Sequence, residues 1–355
     1  MPILGTLALT HSSRRTNLAR CSAEFLRRRF GDPARLRNLP PFEALPPPEP
    51  LYSGAASFYR VVEDGKGLRF LSLGSIRDAE KIQHLALLSD TDLLIGYEHR
   101  VERWRLPGCT VLRRYEHPHL AGLHSVAPLA GGRAVLSCSA ADAILILDLE
   151  TGEVERTLRM PASLYGQGYP LGPDTDLHRH YIDDEGQTTH LNQAYPFDGG
   201  RRVLVSTLIQ GAVGIFDLET GAYEELARGF VGCHGARVNE EGQVYFADST
   251  AGHLVFLDGE GKVARRFDAG SRWLHDVQQI AGGVYAFALA DANELRVWDI
   301  DREELIFARR FFTWPVEGLF GVARRVPFWL GNSAQALWFG WGSATARTHP
   351  PRAAT

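Results

Sequence analysis

Four segments of the chain repeat one hairpin pattern, and this repetition limits the fold more than any other feature. Each segment starts with an alternating run of β-branched or aromatic residues, passes through an Asp and a short turn, and ends in a second alternating run. The copies are AILILDLETGEVERTL at 143–158, VGIFDLETGAYEEL at 213–226, LVFLDGEGKVARRF at 254–267 and LRVWDIDREELIFARRF at 295–311. The pattern therefore predicts an all-β fold built from antiparallel hairpins.

A further strand pair precedes each hairpin, as in HGARVNEEGQVYFADS at 234–249 and HDVQQIAGGVYAFALA at 275–290, so the repeating unit has four strands. We assign the first strand of successive units to start at Gln83, His124, His190, His234, His275 and Phe320. All but one of the steps between these positions span 41–45 residues. A four-stranded unit with this period is typical of a β-propeller blade. The sequence thus predicts a six-bladed β-propeller, with seven blades as the alternative.

Closure of the ring is expected to use N-terminal strands, because an open ring would leave a sheet edge unpaired. The segment 57–74 matches an outer hairpin, whereas 318–341 offers an inner strand pair. We therefore expect a last blade with two C-terminal and two N-terminal strands. A single propeller domain is predicted for 51–342, preceded by a basic, proline-rich arm at 1–50 and followed by a disordered tail at 343–355.

Charge is unevenly distributed along the chain. Residues 1–40 hold eight arginines and two acidic residues, a net +6, so the remainder carries −10 of the total −4. Phosphate contacts need clustered Lys and Arg, so nucleic-acid binding by the acidic body is not expected. The basic segment is interpreted as a solvated helix, with a transit peptide or a phosphate-contacting arm as the alternatives.

Compartment and partners follow from simple absences in the sequence. The four cysteines form no CxxC pair, and no uncharged apolar run reaches the roughly 18–20 residues of a membrane span. The N-terminus also lacks the apolar centre of a secretory signal. We therefore expect a cytoplasmic protein that has no transmembrane segment. Its expected partner is a small-molecule substrate, and its oligomeric state stays open.

Histidines recur at the start of the first strand in four consecutive units: His124, His190, His234 and His275. The first strand of a propeller blade lines the central channel, so the four imidazoles are predicted to converge on its axis from one level. The register is weakest for His190, because Asn192 competes for the same position.

Four neutral imidazoles without a carboxylate or thiolate favour a borderline transition metal. An octahedral iron(II) would keep two positions open for dioxygen and substrate, whereas a tetrahedral zinc would be closed and structural, and copper, nickel and manganese also suit these donors. The residues alone do not choose between these metals, and Fe(II) is the first hypothesis. The competing interpretation is that these histidines bond water or backbone in a polar channel. Tyr195 and Asp276 are candidate catalytic groups, which in a lyase or hydrolase would serve as the general base.

Other positions complete this picture of the channel. The apolar register puts Gln83 opposite His124, which makes His84 a structural residue away from the channel, and Phe320 would give the last blade an apolar side. The one long step contains the loop 160–189, whose length is typical of a lid or substrate wall. Weaker candidates within this loop, as ligands, proton carriers or pocket walls, are His178, His180, Tyr165, Tyr169 and Tyr181.

Residues 190–280 resemble a bacterial propeller family of unknown function whose members carry His-Leu-Asn-Gly, Pro-His-Ser-Pro-Arg and Asp-Ser-Gly-Thr-Gly-Glu-Leu blocks. The matching positions are His190 with Asn192, His234 with Arg237, and 248–254. Gln193 replaces the glycine of the first block, and CHGAR lacks the prolines and the serine of the second.

The four histidines also resemble the site of the carotenoid cleavage oxygenases, propellers in which four histidines hold Fe(II), and LHDV at 274–277 is similar to their His-Asp-Phe block. This likeness of site design implies an oxygenase acting on an apolar or aromatic small molecule. Those enzymes are longer and have seven blades. A non-catalytic protein-interaction propeller is the alternative class, since NELRVWDID at 293–301 resembles a WD-type repeat without its Gly-His dipeptide.

Overall fold

The computed structural model describes residues 3–13, 54–78, 82–89, 91–105, 110–172, 174–178, 187–290, 292, 294–310, 314–316, 324–326, 328–329 and 336–340. Three strands precede the repeats: β1 (Ile3–Ser13), β2 (Gly54–Glu63) and β3 (Leu68–Asp78). Five four-stranded antiparallel sheets follow, and in each of them consecutive strands pair as an up-and-down meander. These five sheets are the blades of a β-propeller.

The strands of each blade run from the channel outward, with the following bounds. Blade one holds β4 (His84–Leu87), β5 (Asp92–Gly96), β6 (Val101–Arg105) and β7 (Thr110–Tyr115). Blade two holds β8 (Leu123–Leu129), β9 (Arg133–Cys138), β10 (Ala143–Asp148) and β11 (Val154–Arg159). Blade three holds β12 (Leu191–Phe197), β13 (Arg202–Thr207), β14 (Ala212–Asp217) and β15 (Tyr223–Arg228).

Blade four holds β16 (Cys233–Val238), β17 (Val244–Asp248), β18 (His253–Leu257) and β19 (Val263–Asp268). Blade five holds β20 (Leu274–Ala281), β21 (Val284–Leu289), β22 (Glu294–Asp299) and β23 (Glu304–Arg310). Helical structure in the described residues is confined to Ser139–Ala141, Ala162–Tyr165 and Asp198–Gly200. The C-terminal strands are β24 (Trp314–Val316), β25 (Arg324–Val326), β26 (Phe328–Trp329) and β27 (Ala336–Gly340).

An aspartate explains why each outer hairpin turns where it does. In blades two to five, the carboxylate at the end of the third strand accepts hydrogen bonds from backbone N–H groups of the turn that follows. Such a side chain substitutes for a backbone turn contact. The four equivalent residues are Asp148, Asp217, Asp258 and Asp299. The repeated Asp in the sequence is therefore a turn residue.

The hydrophobic core is divided into six clusters, each shared by two neighbouring sheets. Leu204 of blade three, for example, packs with Phe246 of blade four. Two of the clusters join β2 to blade five and to blade one. Because every sheet buries apolar side chains against both neighbours, the sheets form a closed ring.

A closing sheet completes this ring with strands in the order β27, β1, β2, β3, and β26 pairs with the end of β1. Its strand β27 contacts both β20 and β4, so it occupies the innermost position between blades five and one. The prediction of an all-β propeller closed by N-terminal strands is confirmed.

The closing sheet differs from the prediction in its strand order. β1 lies between β27 and β2, so 3–13 belongs to the sheet and not to a separate arm, and β24 pairs with β25 outside this sheet. The partner of β1 lies more than 320 residues later, and pairing at such a separation has no local sequence pattern. The described residues do not include 14–53, Phe320 or 343–355.

Candidate functional site in the propeller channel

β-bulges shape the start of the inner strands. In blades two and five, the residues before and after His124 and His275 pair with the second strand, whereas the histidine itself has no partner residue in the ladder. In blade four the ladder is interrupted directly after His234. A bulge adds an unpaired residue and re-aims its side chain. The three histidines therefore stand at equivalent positions, as the repeat predicted.

His190 does not share this position. The backbone carbonyl that precedes each inner strand accepts an N–H at the end of the second strand: Gly122 from Ser139, His190 from Leu208, Gly232 from Ser249, and Trp273 from Ala290. In blade three the bulged residue is Asn192, whose side chain bonds Cys233 O and Ser206 Oγ. The predicted equivalence of His190 with the other three histidines is wrong, because the sequence register was displaced by two residues.

The backbone of His190 is nevertheless unusual. It adopts φ +49°, at a position where blades two and four have Gly122 (φ +62°) and Gly232 (φ +92°). A left-handed conformation costs a residue with a Cβ about 1–2 kcal/mol. The imidazole of His190 lies beside that of His124, with 4.7 Å between the ring centroids. A residue kept in a strained conformation next to a second histidine points to a functional position.

This strain predicts a reversal of the usual order between glycine and alanine. His190→Gly is expected to be more stable than His190→Ala by about 1 kcal/mol, because glycine adopts positive φ without a Cβ clash. At an ordinary strand position glycine is the worse residue by about 0.5–1 kcal/mol. Urea unfolding of both variants measures the difference, and His253→Gly with His253→Ala on β18 provide the matched control. A more stable alanine variant at 190 would contradict the assigned strain.

The four imidazoles form two close pairs. His234 and His275 have ring centroids 4.6 Å apart, and the other pair is His124 with His190. All four side chains are buried. Burial, followed by the charges of His275 and His190, holds the pKa of His234 well below its usual range. His234 is therefore neutral near pH 7. The two pairs stand at the starts of the inner strands of consecutive blades, β8 with β12 and β16 with β20.

These pairs fit a transition metal in donor type and in spacing within each pair. Two imidazoles bound to one ion at about 2.1 Å and at right angles have centroids about 4.6 Å apart. His234 Nδ1 lies 2.7 Å from Ser249 Oγ, an outer contact of the kind that orients a ligating imidazole. Within the described part of the chain, no group of three or more His, Cys, Asp or Glu side chains already surrounds one metal position. Binding of one ion would therefore require the two pairs to close on it.

Asp276 forms a buried ion pair with Arg237. Arg237 Nη1 donates to Oδ1 at 2.6 Å and Nη2 donates to Oδ2 at 3.1 Å. Nη1 also donates to the carbonyl oxygens of Val277 and Gly235. A carboxylate engaged through both oxygens is poorly placed to accept a further proton. The contact favours a positioning role for Asp276 over the base role that the sequence suggests.

Tyr195 follows Asn192 by three residues on the inner strand β12, as Arg237 follows His234 on β16, and its ring packs at the edge of the cluster between blades three and four. Burial raises the pKa of its phenol, while the nearby charge of Arg237 lowers it. The net rise keeps the hydroxyl protonated at neutral pH, so Tyr195 is suited to donate a hydrogen bond or a proton. The sequence analysis reached Arg237 only through the family resemblance. Its place three residues after His234 on an inner strand is the sequence signal that could have indicated it.

His84 is the first residue of β4, the inner strand of blade one, and it is buried. Burial, followed by the charge of Arg237, lowers the pKa of His84 to about 3. Gln83, by contrast, donates from Nε2 to Glu98 Oε2 at 2.6 Å. The prediction that aligns Gln83 with His124 is wrong, because blade one lacks the bulge at which His124 stands.

The described part of the loop 160–189 is attached to blade two. The carboxylate of Asp142 accepts hydrogen bonds from the backbone and hydroxyl groups of both Thr188 and Thr189. His178 Nε2 lies 3.0 Å from the carbonyl oxygen of Leu120, close to the turn that leads to β8. The loop therefore approaches the channel from the side on which His124 stands.

The tyrosines of this loop differ from the expectation. The hydroxyl of Tyr165 lies 2.6 Å from Tyr223 Oη and donates to Glu225 Oε2 at 2.6 Å, and both partners belong to the outermost strand of blade three. Tyr165 is therefore not a channel wall. Tyr169 packs at the edge of the cluster between blades one and two, and His180 and Tyr181 lie outside the described residues.

Comparisons with known proteins agree with the fold. No protein-family model matches the chain, and no curated protein sequence is significantly similar to it. A chain of a nidogen/laminin complex is similar in structure, with a TM-score of 0.56, 11% identity, and coverage of 86% of this chain and 94% of that chain. A protein of unknown function from Bacteroides caccae gives 0.52 and 12%, with 94% and 99% covered. A streptogramin B lyase gives 0.50 and 12%, with 73% and 80% covered.

At these identities the likeness concerns the fold alone, which is that of a β-propeller. Among the described residues there is also no helix that is long and apolar enough to cross a membrane.

Proposed function

We propose that His124, His190, His234 and His275 form a metal centre and that the protein is a metal-dependent enzyme acting on a small apolar or aromatic molecule. The observation that carries this proposal is the presence of two buried imidazole pairs, with centroids 4.7 and 4.6 Å apart, at the inner ends of neighbouring blades. The strained backbone of His190 supports it, since simple packing would be served by the glycine used in blades two and four.

Iron(II) is the first metal of this proposal, with copper, zinc, nickel and manganese as alternatives, and iron would supply dioxygen activation. The chain orients the site through its own residues. Ser249 fixes His234, and the indole of Trp273 packs edge-on against that imidazole with 6.1 Å between centroids. The loop 160–189 would exclude water from the channel entrance.

A metal-dependent lyase is the second candidate, favoured by the protonated phenol of Tyr195 on the inner strand β12. Such a group can protonate a leaving group. A streptogramin B lyase is among the proteins with a similar fold. Oxygen uptake separates the two candidates, because a lyase turns over without oxygen. A non-catalytic interaction propeller is the remaining class, and a folded protein that binds no metal would favour it.

Metal analysis tests the proposal. The purified protein, reconstituted anaerobically with Fe(II) and separately with the other four metals, is expected to retain about one ion per chain. His234→Ala and His275→Ala should each lose at least about tenfold in metal affinity. His253→Ala, on the same blade as His234 but outside the channel, should bind like the wild type. Failure of folded wild-type protein to retain any of the five metals would contradict the proposal.

A further inference from the structure

We propose that the channel contains a carboxylate-binding subsite formed by one edge of the Arg237 guanidinium, the Tyr195 hydroxyl and the His84 imidazole. Arg237 follows His234 by three residues on β16. Its position is therefore further along the strand, and so along the channel, than that of His234. The ligand class is a small organic monocarboxylate. Its assignment as the substrate rests on the proposed function, whereas its binding does not require the metal.

The first component is an edge of Arg237 that has hydrogen-bond donors to spare. A guanidinium has five N–H groups. Nη1 is used by Gly235, Asp276 and Val277, and one Nη2 hydrogen is used by Asp276. Nε–H and the second Nη2 hydrogen have no acceptor among the described residues. These two donors lie parallel on one side of the guanidinium, the geometry that binds a carboxylate through both oxygens.

The orientation of this edge is built into the backbone. Asp276 holds the opposite end of the guanidinium, and the side chains of Arg237 and Asp276 are only 3% and 2% exposed. Gly235 makes room for the pair, since a Cβ at this position would lie 2.1 Å from Asp276 Oδ1. A preoriented pair of donors gains an acceptor without further ordering. The arrangement is therefore suited to a ligand that supplies two acceptor oxygens.

Two further donors stand on other inner strands of the ring. Tyr195 follows Asn192 by three residues on β12, as Arg237 follows His234 on the neighbouring β16, and His84 begins β4. The charge of Arg237 lowers the pKa of both groups. The hydroxyl of Tyr195 makes no hydrogen bond to any described residue. Both ring nitrogens of His84 are buried and have no hydrogen-bond partner among these residues. A neutral imidazole supplies one N–H donor. Tyr245, also close to Arg237, is already engaged by the backbone N–H of Gln279.

The charge balance selects the ligand. Asp276 already offsets much of the single positive charge of Arg237, so the site tolerates one negative charge and disfavours two. A monocarboxylate matches this balance and can accept from Arg237 with both oxygens while also accepting from Tyr195 and His84. A dianionic phosphate would leave a net negative charge buried beside Asp276.

Calorimetric titration with benzoate and with benzamide, its uncharged counterpart, tests the subsite in the full chain, both as purified and after treatment with a chelator. Benzoate is expected to bind at least about tenfold more tightly than benzamide. Arg237→Lys should abolish this preference, because an ammonium keeps a charge near Asp276 but has no two-donor edge. Tyr195→Phe and His84→Phe should each weaken benzoate binding by about 3–10-fold. Arg265→Lys, on the exposed strand β19, is the control and should bind like the wild type.

Equal affinity for the two compounds, or unchanged benzoate affinity in Tyr195→Phe and His84→Phe, would overturn the subsite. If Arg237→Lys does not fold, the two channel variants decide the question by themselves. Benzoate binding by wild-type protein that retains none of the five metals after reconstitution supports the subsite and contradicts the metal centre. Metal binding without a preference for benzoate supports the metal centre and contradicts the subsite.

Discussion

Replacing Asp276 by alanine is expected to lower the free energy of unfolding by about 3–5 kcal/mol, because it leaves the Arg237 cation buried without its partner. Both side chains are almost completely inaccessible, and two hydrogen bonds of 2.6 and 3.1 Å join them. Urea denaturation followed by tryptophan fluorescence measures the loss. The change is large because the guanidinium cannot release its proton at any ordinary pH.

Two control proteins identify the source of this loss. The double variant Arg237→Met/Asp276→Leu removes both charges and is expected to recover most of the stability. Asp301→Ala breaks the exposed pair with Arg265 and should cost no more than about 1 kcal/mol. If Asp276→Ala behaves like Asp301→Ala, the ion pair in the channel is not formed as described.

Gly235→Ala is expected to destabilise the protein by about 2–4 kcal/mol. Gly235 has φ +61°, and an added Cβ would lie 2.1 Å from Asp276 Oδ1 and 2.9 Å from Arg237 Nη1. The substitution therefore combines the cost of a left-handed backbone with displacement of the ion pair. Thermal unfolding and urea denaturation both report the change.

Gly282→Ala separates these two contributions. Gly282 also has a positive φ, +49°, but a Cβ there would meet no atom within 4 Å. Its replacement should cost only about 1 kcal/mol, the backbone contribution alone. Equal losses in the two alanine variants would show that the crowding around Asp276 is absent. A loss of benzoate preference in Gly235→Ala alone would connect the bulge to the proposed subsite.

Part of the site follows from the repeat and part does not. His124, His234 and His275 were found from their spacing, because the bulge occurs at the same point of blades two, four and five. Blade one lacks this bulge, so its register differs and the alignment of Gln83 with His124 does not hold. At His190 the long preceding loop removed the spacing information, and the backbone reaches the site through a left-handed residue.

The sequence alone determines that this chain forms a β-propeller. Alternation, turn aspartates such as Asp148, and a period near 41–45 residues are local properties, and the period is repeated often enough to define the blade. Only the tertiary structure decides which strands close the ring and which side chains share the channel. The pairing of β1 with β27 and the ion pair of Arg237 with Asp276 join residues of distant segments, and no local pattern encodes such contacts.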